Sequence, residues 1–488
     1  MLPRPNLTCT VRCVRVELAI VAFGLSAAIH LKLTMNYICP VCVEEPFLKS
    51  LVVNVASTEN SCDCCGSDGP AVDVFFIAEL CDEVISTFYE PSSLTMAVVH
   101  FGYDPAGESL YEVVQGLTRA TNEVVEAVVE VLDEHIWYDR DSGERKFGED
   151  PYFVRKQNVD SPLVAGWLEI ESSLRTEARY LNPKVGEFLA LVFGDIAEHV
   201  ADAGGSVLVD AGPRSSVTAF YRARVFQSEK SLLEALQHPE RNLGAPPSGL
   251  SLGGRMNATG QPAFYGALNE ETAIAEVRPP VGSWAVVAKF NITRALKLLD
   301  LQLLERAQMK QSSSLFDPST VSAAQRLTFL RELAARMASP VMPESQEHNY
   351  LITQVVADYL AMHPSVSIDG IVYRSSQRAG PDQHDDINVV LFHKAAIAHH
   401  ARDDTATAEA ELHEYLDESP GSYFHPKIMY LEEKSPIFTW KQPGFQPEPA
   451  LELVRDGIQI HRIKAISFQT DMTPLEVVAK NEFFGSRY

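Results

Sequence analysis

The chain has 488 residues, of which 46% are hydrophobic and 22% are charged, and its formal net charge is −24. This composition excludes an intrinsically disordered chain, and the length allows two to four folded domains. Acidic side chains outnumber basic ones by 65 to 41, which argues against nucleic acid as the principal partner, because clustered cations bind a phosphate backbone.

The first 34 residues contain an apolar run, Leu18 to Leu31, that follows several arginines and resembles a signal peptide. The run is about 14 residues long, which is too short to span a bilayer comfortably. Glu17 at its edge weakens the likeness to a signal peptide, and Met35 offers an alternative start of translation. We expect residues 1–34 to be a non-native or unstructured leader and the protein to be cytoplasmic, with no membrane partner. If the segment is cleaved instead, the protein is exported.

Four cysteines follow with the spacing C-x2-C-x19-C-x2-C: Cys39, Cys42, Cys62 and Cys65. Each C-x2-C pair places two thiolates on one tight turn, and two such turns complete the tetrahedron that zinc prefers. Two disulfides are the alternative, and they would require an oxidising compartment. We predict a structural zinc knuckle over residues 35–69, in which Cys64 is an extra thiol that could compete as a ligand.

Residues 70–203 carry apolar side chains at helical spacing. Ser109 and Glu112 form a capping box, and Asn182-Pro183 combines a cap with a first-turn proline. The pattern predicts an all-α bundle of four or more helices. Such a bundle would serve as a scaffold or form a homodimer.

The region after Gly204-Gly205 predicts a mixed α+β domain with a compact, largely antiparallel sheet. Val217 to Phe226 alternates as a strand, with Arg222 on the same face as Phe220. Further strands are predicted near 263–266, 284–291, 296–301, 370–374 and 389–392, with helices over 320–338 and 347–362. A C-terminal extension covers 401–488, where Glu409 to Glu418 predicts a helix and Gly457 to Phe468 a strand. No Gly-x-Gly-x-x-Gly follows a strand, so a Rossmann dinucleotide site is not expected.

Four separated motifs carry the strongest functional signal in the chain. They are Gly253-Gly254-Arg255-Met256-Asn257, Ala263-Phe264-Tyr265-Gly266, Ala273-Ile274-Ala275-Glu276 and Tyr373-Arg374-Ser375-Ser376. The order Arg, Glu, Ser in these contexts resembles the RES family, over roughly residues 216–400. Members of that family break the nicotinamide–ribose bond of NAD and act as toxins of bacterial toxin–antitoxin pairs. Met256 departs from the pattern, because many members carry Trp there.

Cleavage of NAD passes through a ribose with oxocarbenium character, and it requires cations for the pyrophosphate, an aromatic face and a carboxylate near the sugar. The resemblance implies that Arg222 and Arg255 bind the phosphates and that Tyr265 stacks or hydrogen-bonds. It also implies that Glu276 stabilises the sugar cation and that Ser375 binds a ribose hydroxyl or the carboxamide. The catalytic set is therefore Glu276, Arg255 and Ser375, with NAD as the substrate.

The resemblance extends to domain organisation and partners. The helices of 70–203, with Arg179-Tyr180, look like the HEPN-type domain that precedes RES domains, and RES domains resemble ADP-ribosyltransferases. HEPN ribonucleases need an Arg-x4–6-His motif, which residues 70–203 lack, so ribonuclease activity is not expected. The acceptor of ADP-ribose, whether water, phosphate or protein, stays open, as does the presence of an antitoxin. The alternative function is a catalytically silent RES-fold protein that binds a partner.

Overall fold

The computed structural model describes residues 36–58, 60–92, 106–139, 141–148, 151–177, 182–202, 204–309, 314–342, 344, 346–378, 386–398, 408–415, 422–430, 448–467 and 470–475. The chain divides into two compact units between Arg155 and Lys156. Within the described ranges, no helix is long and apolar enough to cross a membrane. The predicted leader and Met35 lie outside the described residues, as does Arg179-Tyr180.

In its described residues, the N-terminal unit combines short strands with four α-helices. Its strands are β1 (Tyr37–Ile38), β2 (Val72–Asp73), β3 (Tyr89–Pro91), β4 (Glu108–Ser109) and β5 (Tyr152–Arg155), and its helices are α1 (Pro46–Val55), α2 (Val74–Phe88), α3 (Leu110–Thr118) and α4 (Asn122–Val131). The capping box is present at the start of α3, where the Ser109 hydroxyl accepts from the Glu112 amide and the Glu112 carboxylate accepts from the Ser109 amide. Buried faces of α2, α3 and α4 supply the apolar interior.

Two features of residues 70–203 differ from the predicted all-α bundle. Strands β3, β5 and β4 form a three-stranded antiparallel sheet between the helices. Strands of two to four residues are too short to show a periodic pattern, which is why the sequence did not reveal them. The unit boundary also falls inside the block, so that its last two helices belong to the C-terminal unit.

The C-terminal unit is α+β, as predicted, and is built around one eight-stranded sheet. Its helices are α5 (Leu163–Thr176), α6 (Pro183–Phe193), α7 (Glu229–Gln237), α8 (Pro239–Leu243), α9 (Glu270–Glu276), α10 (Leu301–Glu305), α11 (Pro318–Ala338) and α12 (Gln346–Ala361). Its strands are β6 (Val200–Ala201), β7 (Leu208–Ala211), β8 (Ala219–Phe226), β9 (Phe264–Ala267), β10 (Trp284–Ile292), β11 (Leu296–Asp300), β12 (Ala307–Gln308), β13 (Gly370–Arg374), β14 (Ile387–Leu391), β15 (Ala408–Tyr415), β16 (Ser422–Tyr430) and β17 (Leu451–Arg462).

The large sheet has the order β17-β10-β8-β9-β14-β13-β11-β7. Every pair is antiparallel except β11 and β13, which confirms the predicted largely antiparallel sheet. One face packs against α5, α6, α11 and α12. The opposite face packs against α7, α8 and the β15–β16 hairpin.

The sheet is nearly divided between β8 and β9. These two strands pair only at Tyr221 and Ala267, whereas β8 and β10 pair along eight residues. Beyond Tyr221 the two strands separate. The chain between α8 and β9 carries the Gly-Gly-Arg motif, which contacts α11 and α12 on one face of the sheet. The candidate site lies beside this separation.

The C-terminal extension differs from the sequence prediction. The segment predicted as a helix over Glu409 to Glu418 begins with strand β15, which pairs with β16. Ala and Glu are strong helix formers, and their abundance hides a period of two in which Ala410 and Leu412 pack against the core and Ala408 is buried. The last strand covers Leu451–Arg462 rather than 457–468, because Leu451 and Leu453 extend its pairing with β10 past a bulge.

Candidate active site and metal centre

The four cysteines of the predicted knuckle come together in the N-terminal unit, and all four sulfur atoms lie within 4.8 Å of one another. The Sγ atom of Cys39 lies 3.8 Å from that of Cys42 and 3.5 Å from that of Cys65, and Cys42 and Cys62 are separated by 3.9 Å. Zinc–thiolate bonds of about 2.3 Å in a tetrahedron place the sulfur atoms about 3.8 Å apart. The thiols are unbridged, so the cluster fits a tetrahedral cation and could bind zinc.

Cys64 does not belong to this cluster. Its Sγ atom lies 3.4 Å from the Thr121 hydroxyl, and the group of four excludes it. Asp63 instead stabilises the second turn, because its Oδ2 atom accepts from the amides of Asn36 and Tyr37 at 2.8 and 2.9 Å. Four protein sulfurs would leave a bound ion no open coordination position, which is the arrangement of a structural metal site.

Glu276 ends helix α9, a short helix that begins at the Asn269 cap, where the Asn269 side chain accepts from the Thr272 amide at 2.8 Å. The carboxylate accepts two hydrogen bonds on the same oxygen, Oε1. The Ser375 hydroxyl donates at 2.6 Å and the Asn388 amide nitrogen at 2.8 Å. A carboxylate in the last turn of a helix opposes the helix dipole, and these two donors offset that repulsion.

Ser375 follows strand β13 and is 2% exposed, whereas its neighbour Ser376 is exposed. Its amide donates to the carbonyl of Asp386 at 2.8 Å, which fixes the backbone on which the hydroxyl stands. Asp386 is in turn held by the Thr272 hydroxyl at 2.6 Å and by an ion pair with Arg378 at 3.2 Å. The serine and the Glu276 helix are therefore tied together at two points.

Tyr265 lies on β9 with its hydroxyl inside the turn of the Gly-Gly-Arg motif. The hydroxyl donates to Asn257 Oδ1 at 2.7 Å and accepts from the Met256 amide at 3.0 Å. Burial raises the pKa of Tyr265 to about 12, so the phenol stays protonated at neutral pH. These bonds leave the hydroxyl engaged and make the ring the part of Tyr265 that can contact a ligand.

Gly254 is required by this close approach. A Cβ atom at that position would lie 2.5 Å from the Tyr265 hydroxyl and 2.6 Å from Asn257 Oδ1. The glycine that precedes the arginine therefore allows the turn to close around the tyrosine.

We expect Gly254→Ala to destabilise the folded protein by about 1–3 kcal/mol, the usual range for overpacking, and to shift Tyr265. Urea denaturation of the variant measures the loss. Gly186→Ala is the matched control, because an added Cβ at Gly186 in α6 has no atom within 4 Å and alanine favours a helix. Equal stability of Gly254→Ala and wild type would contradict the assigned packing.

Arg255 is held by the C-terminal end of helix α11, where its guanidinium donates to the carbonyls of Arg336 and Ser339. The guanidinium also lies over the Tyr373 ring, 5.8 Å from its centre. Burial lowers the pKa of Arg255, and the nearby Tyr373, Tyr350, Tyr265 and Glu276 oppose that shift in decreasing order. The arginine therefore stands within electrostatic range of the carboxylate and three tyrosines.

Helix α12 fixes the backbone of the same motif. The Thr353 hydroxyl donates to the Arg255 carbonyl, and the Gln354 side chain donates to the Gly254 carbonyl at 2.8 Å. Both bonds come from consecutive residues of the helix. The motif is thus anchored to α11 by its side chain and to α12 by its main chain.

The structure brings Arg255, Tyr265, Glu276 and Ser375 together but places Arg222 on the opposite face of the sheet. Tyr221 and Ala223 pack with Ala273 and Val277 of the α9 segment, and Arg222 alternates with them. Its guanidinium reaches the Tyr265 carbonyl at 3.1 Å across the separation between β8 and β9 and lies 5.4 Å from the centre of the Phe264 ring.

Arg222 and Arg224 are both largely buried on this second face. Burial, together with the positive charge of Arg224, lowers the pKa of Arg222 to about 9, and burial also lowers the pKa of Arg224. Among the described residues, no carboxylate forms an ion pair with either guanidinium, and the Arg222 Nε atom has no hydrogen-bond partner. Two adjacent cations without an acid are suited to an anionic ligand.

Sequence reasoning missed two members of the site, Asn388 and Tyr350. Asn388 is directly opposite Tyr373 in the β13–β14 ladder and reaches Glu276. The available signal was a lone amide in the otherwise apolar strand Ile387–Leu391. Tyr350 interacts electrostatically with Arg255, Tyr265 and Tyr373 from helix α12, and nothing in its local sequence indicates this.

The fold and the candidate site together define an α+β protein with a partly buried Arg–Glu–Ser cluster, in which Ser375 is buried, beside the separation in its sheet. Residues 219–412 match the family model of the RES domain, so the chain contains a RES domain. RES domains are associated with NAD-related toxin activity. No curated protein and no solved structure matches the chain.

Proposed function

We propose that the RES domain of this chain cleaves the bond between nicotinamide and ribose in NAD. The observation that best supports the proposal is the Glu276 carboxylate, whose Oε1 atom takes both hydrogen bonds, from Ser375 and Asn388. No described residue donates to Oε2. A carboxylate fixed by one oxygen can present the other to a developing cation with little rearrangement.

In the proposed reaction, the electron pair of the C1′–N bond leaves with nicotinamide, which departs as a neutral base. The ribose carbon becomes an oxocarbenium cation, and Glu276 stabilises its charge. Tyr265, Tyr350 and Tyr373 all lie within electrostatic range of Arg255, and a tyrosine ring there would offer a face on which the nicotinamide can stack. Attack at C1′ by water, by phosphate or by a protein group then gives ADP-ribose, ADP-ribose 1″-phosphate or an ADP-ribosylated protein.

Following free nicotinamide while the purified full-length protein is incubated with NAD tests this proposal. We expect stoichiometric loss of NAD, and mass spectrometry of the product, with and without phosphate, identifies the acceptor. NAD that binds but stays intact would contradict the enzyme and favour a catalytically silent RES-fold binding protein. The largely antiparallel sheet agrees with the ADP-ribosyltransferase likeness that the family resemblance implies.

We further propose that Arg222 contacts the pyrophosphate through the separation between β8 and β9. Its Nη1 atom already reaches the Tyr265 carbonyl, and its buried Nε atom has no partner among the described residues. A buried guanidinium without an acid gains most from a charged acceptor such as a phosphate oxygen. Arg255, which lies on the same side of the sheet as Glu276, would bind the phosphate at the end of the dinucleotide nearer to Glu276.

Arg222→Ala is expected to weaken NAD binding by about 2–4 kcal/mol, which is the range for a desolvated charged contact. Isothermal titration calorimetry with NAD measures the effect. Lys297→Ala is a suitable control, because Lys297 is an exposed cation on β11 of the same sheet. Unchanged NAD affinity in a folded Arg222→Ala protein would assign this arginine to the packing of the second face alone.

We propose that zinc bound by Cys39, Cys42, Cys62 and Cys65 cross-links the two turns of the knuckle and has no part in the chemistry.

RES domains are often found in toxin–antitoxin systems, and we propose a toxin role with a separate antitoxin as partner. Co-expression that relieves growth arrest by the RES protein would identify that partner.

A further inference from the structure

Asn388 occupies an unusual position for an amide side chain. It lies in the middle of the sheet, on β14, and is 3% exposed. The residues directly opposite are Tyr373 on β13 and Ala267 on β9. The other members of its strand are apolar, so the amide is the one polar side chain that β14 contributes to this interior.

The two ends of this amide differ in their partners. The Nδ2 atom donates to Glu276 Oε1 at 2.8 Å, which fixes the orientation of the group, since a carboxylate oxygen can only accept. The Oδ1 atom is buried and has no hydrogen-bond partner in the described part of the chain. Buried carbonyl oxygens are nearly always paired, so an unpaired one beside a catalytic candidate indicates a partner that binds there.

We propose that Asn388 is a substrate-binding residue whose Oδ1 atom accepts a hydrogen bond from the 2′-hydroxyl of the nicotinamide ribose. The inference rests on the proposed NAD cleavage. One amide would thus do two things: Nδ2 holds the Glu276 carboxylate, and Oδ1 holds the sugar on which that carboxylate acts.

The ribose hydroxyl is favoured by its place in the substrate. Oδ1 and Nδ2 belong to one planar group, so whatever meets Oδ1 lies beside the atom that faces Glu276. If Glu276 faces C1′, the hydrogen-bond donor nearest to it is the hydroxyl on C2′. The carboxamide of nicotinamide is the other donor at that end of NAD, and it lies farther from C1′, on the ring.

The test compares NAD with the analogue that lacks the 2′-hydroxyl on the nicotinamide ribose. For the wild type, the ratio of kcat/KM for NAD to kcat/KM for the analogue includes the contribution of this hydrogen bond. We expect Asn388→Ala and the similarly shaped Asn388→Leu to lower that ratio by about tenfold, the factor that corresponds to about 1.4 kcal/mol. If the substitution only damaged the structure, kcat/KM would fall equally for both substrates and the ratio would stay unchanged.

Two further measurements make the comparison specific. Asn291→Ala is the control, because Asn291 is an exposed amide on β10 of the same sheet. Deamido-NAD, which carries a carboxylate in place of the carboxamide, tests the alternative donor. A variant that changes the preference for NAD over deamido-NAD, but not over the 2′-deoxy analogue, would overturn the assignment to the ribose.

Asn388→Asp separates the two roles of the amide. The aspartate keeps an acceptor for the 2′-hydroxyl but puts a second carboxylate against Glu276, and two adjacent carboxylates cannot both be charged without cost. We expect this variant to retain the ratio of kcat/KM between NAD and the 2′-deoxy analogue. We expect its kcat to fall as the pH rises, because the pair of carboxylates then loses the proton that keeps one of them neutral. Loss of the ratio with an unchanged pH profile would contradict the proposal. A wild-type protein that releases no nicotinamide would instead remove the proposed function itself.

Discussion

Glu276→Gln is expected to lower the rate of nicotinamide release by about two to three orders of magnitude, while NAD affinity is largely retained. The glutamine keeps a carbonyl oxygen that can accept from Ser375 and Asn388, so the local packing is preserved. Its NH2 group would replace the second carboxylate oxygen and would present a positive dipole to the developing sugar cation. Single-turnover measurement of nicotinamide release, with calorimetric measurement of NAD affinity, separates the two effects.

Glu270→Gln provides the matched control for this variant. Glu270 begins the same helix, α9, and bonds only to the Gln459 side chain at 2.8 Å among the described residues. We expect its turnover to stay near that of the wild type. A Glu276→Gln protein that releases nicotinamide at the wild-type rate would show that the carboxylate is not the group that stabilises the transition state.

Loss of the metal is the second large expected effect. Replacing both Cys39 and Cys42 by serine should reduce bound zinc from one ion per chain to none and unfold the knuckle segment. Structural zinc contributes about 10–16 kcal/mol of binding free energy, which is also folding free energy for a short segment with little core of its own. Elemental analysis measures the metal, and limited proteolysis under reducing conditions locates the unfolding.

Cys64→Ser is the control for the knuckle. The sulfur of Cys64 contacts the Thr121 hydroxyl and is not one of the four clustered sulfurs, so this variant should retain one zinc ion. Helices α2 to α4 should stay folded in the double variant, because their buried faces do not include the cysteine cluster. Intact, reduced wild-type protein without zinc would refute the metal assignment.

The type and limits of a helix or strand could be predicted where the sequence has a long periodic segment. Strand β8 and helices α11 and α12 lie within a few residues of their predicted limits. Strand β15 was predicted as a helix because its alanines and glutamates favour that structure locally. Pairing with β16 and burial of Leu412 against the sheet decide its conformation instead, and neither can be seen in a short segment.

The sequence by itself identified four members of the candidate site, Arg255, Tyr265, Glu276 and Ser375, and the spacing of the cysteines, because both depend on local motifs that each occupy one turn, strand end or helix end. Tertiary structure alone decided which of those residues meet. It joined Ser375 to Glu276 over 99 positions of sequence, added Asn388 and Tyr350, and put Arg222 on the other face of the sheet. The physical reason is that a hydrogen bond between distant residues is set by strand register, and a shift of one residue turns every side chain to the opposite face.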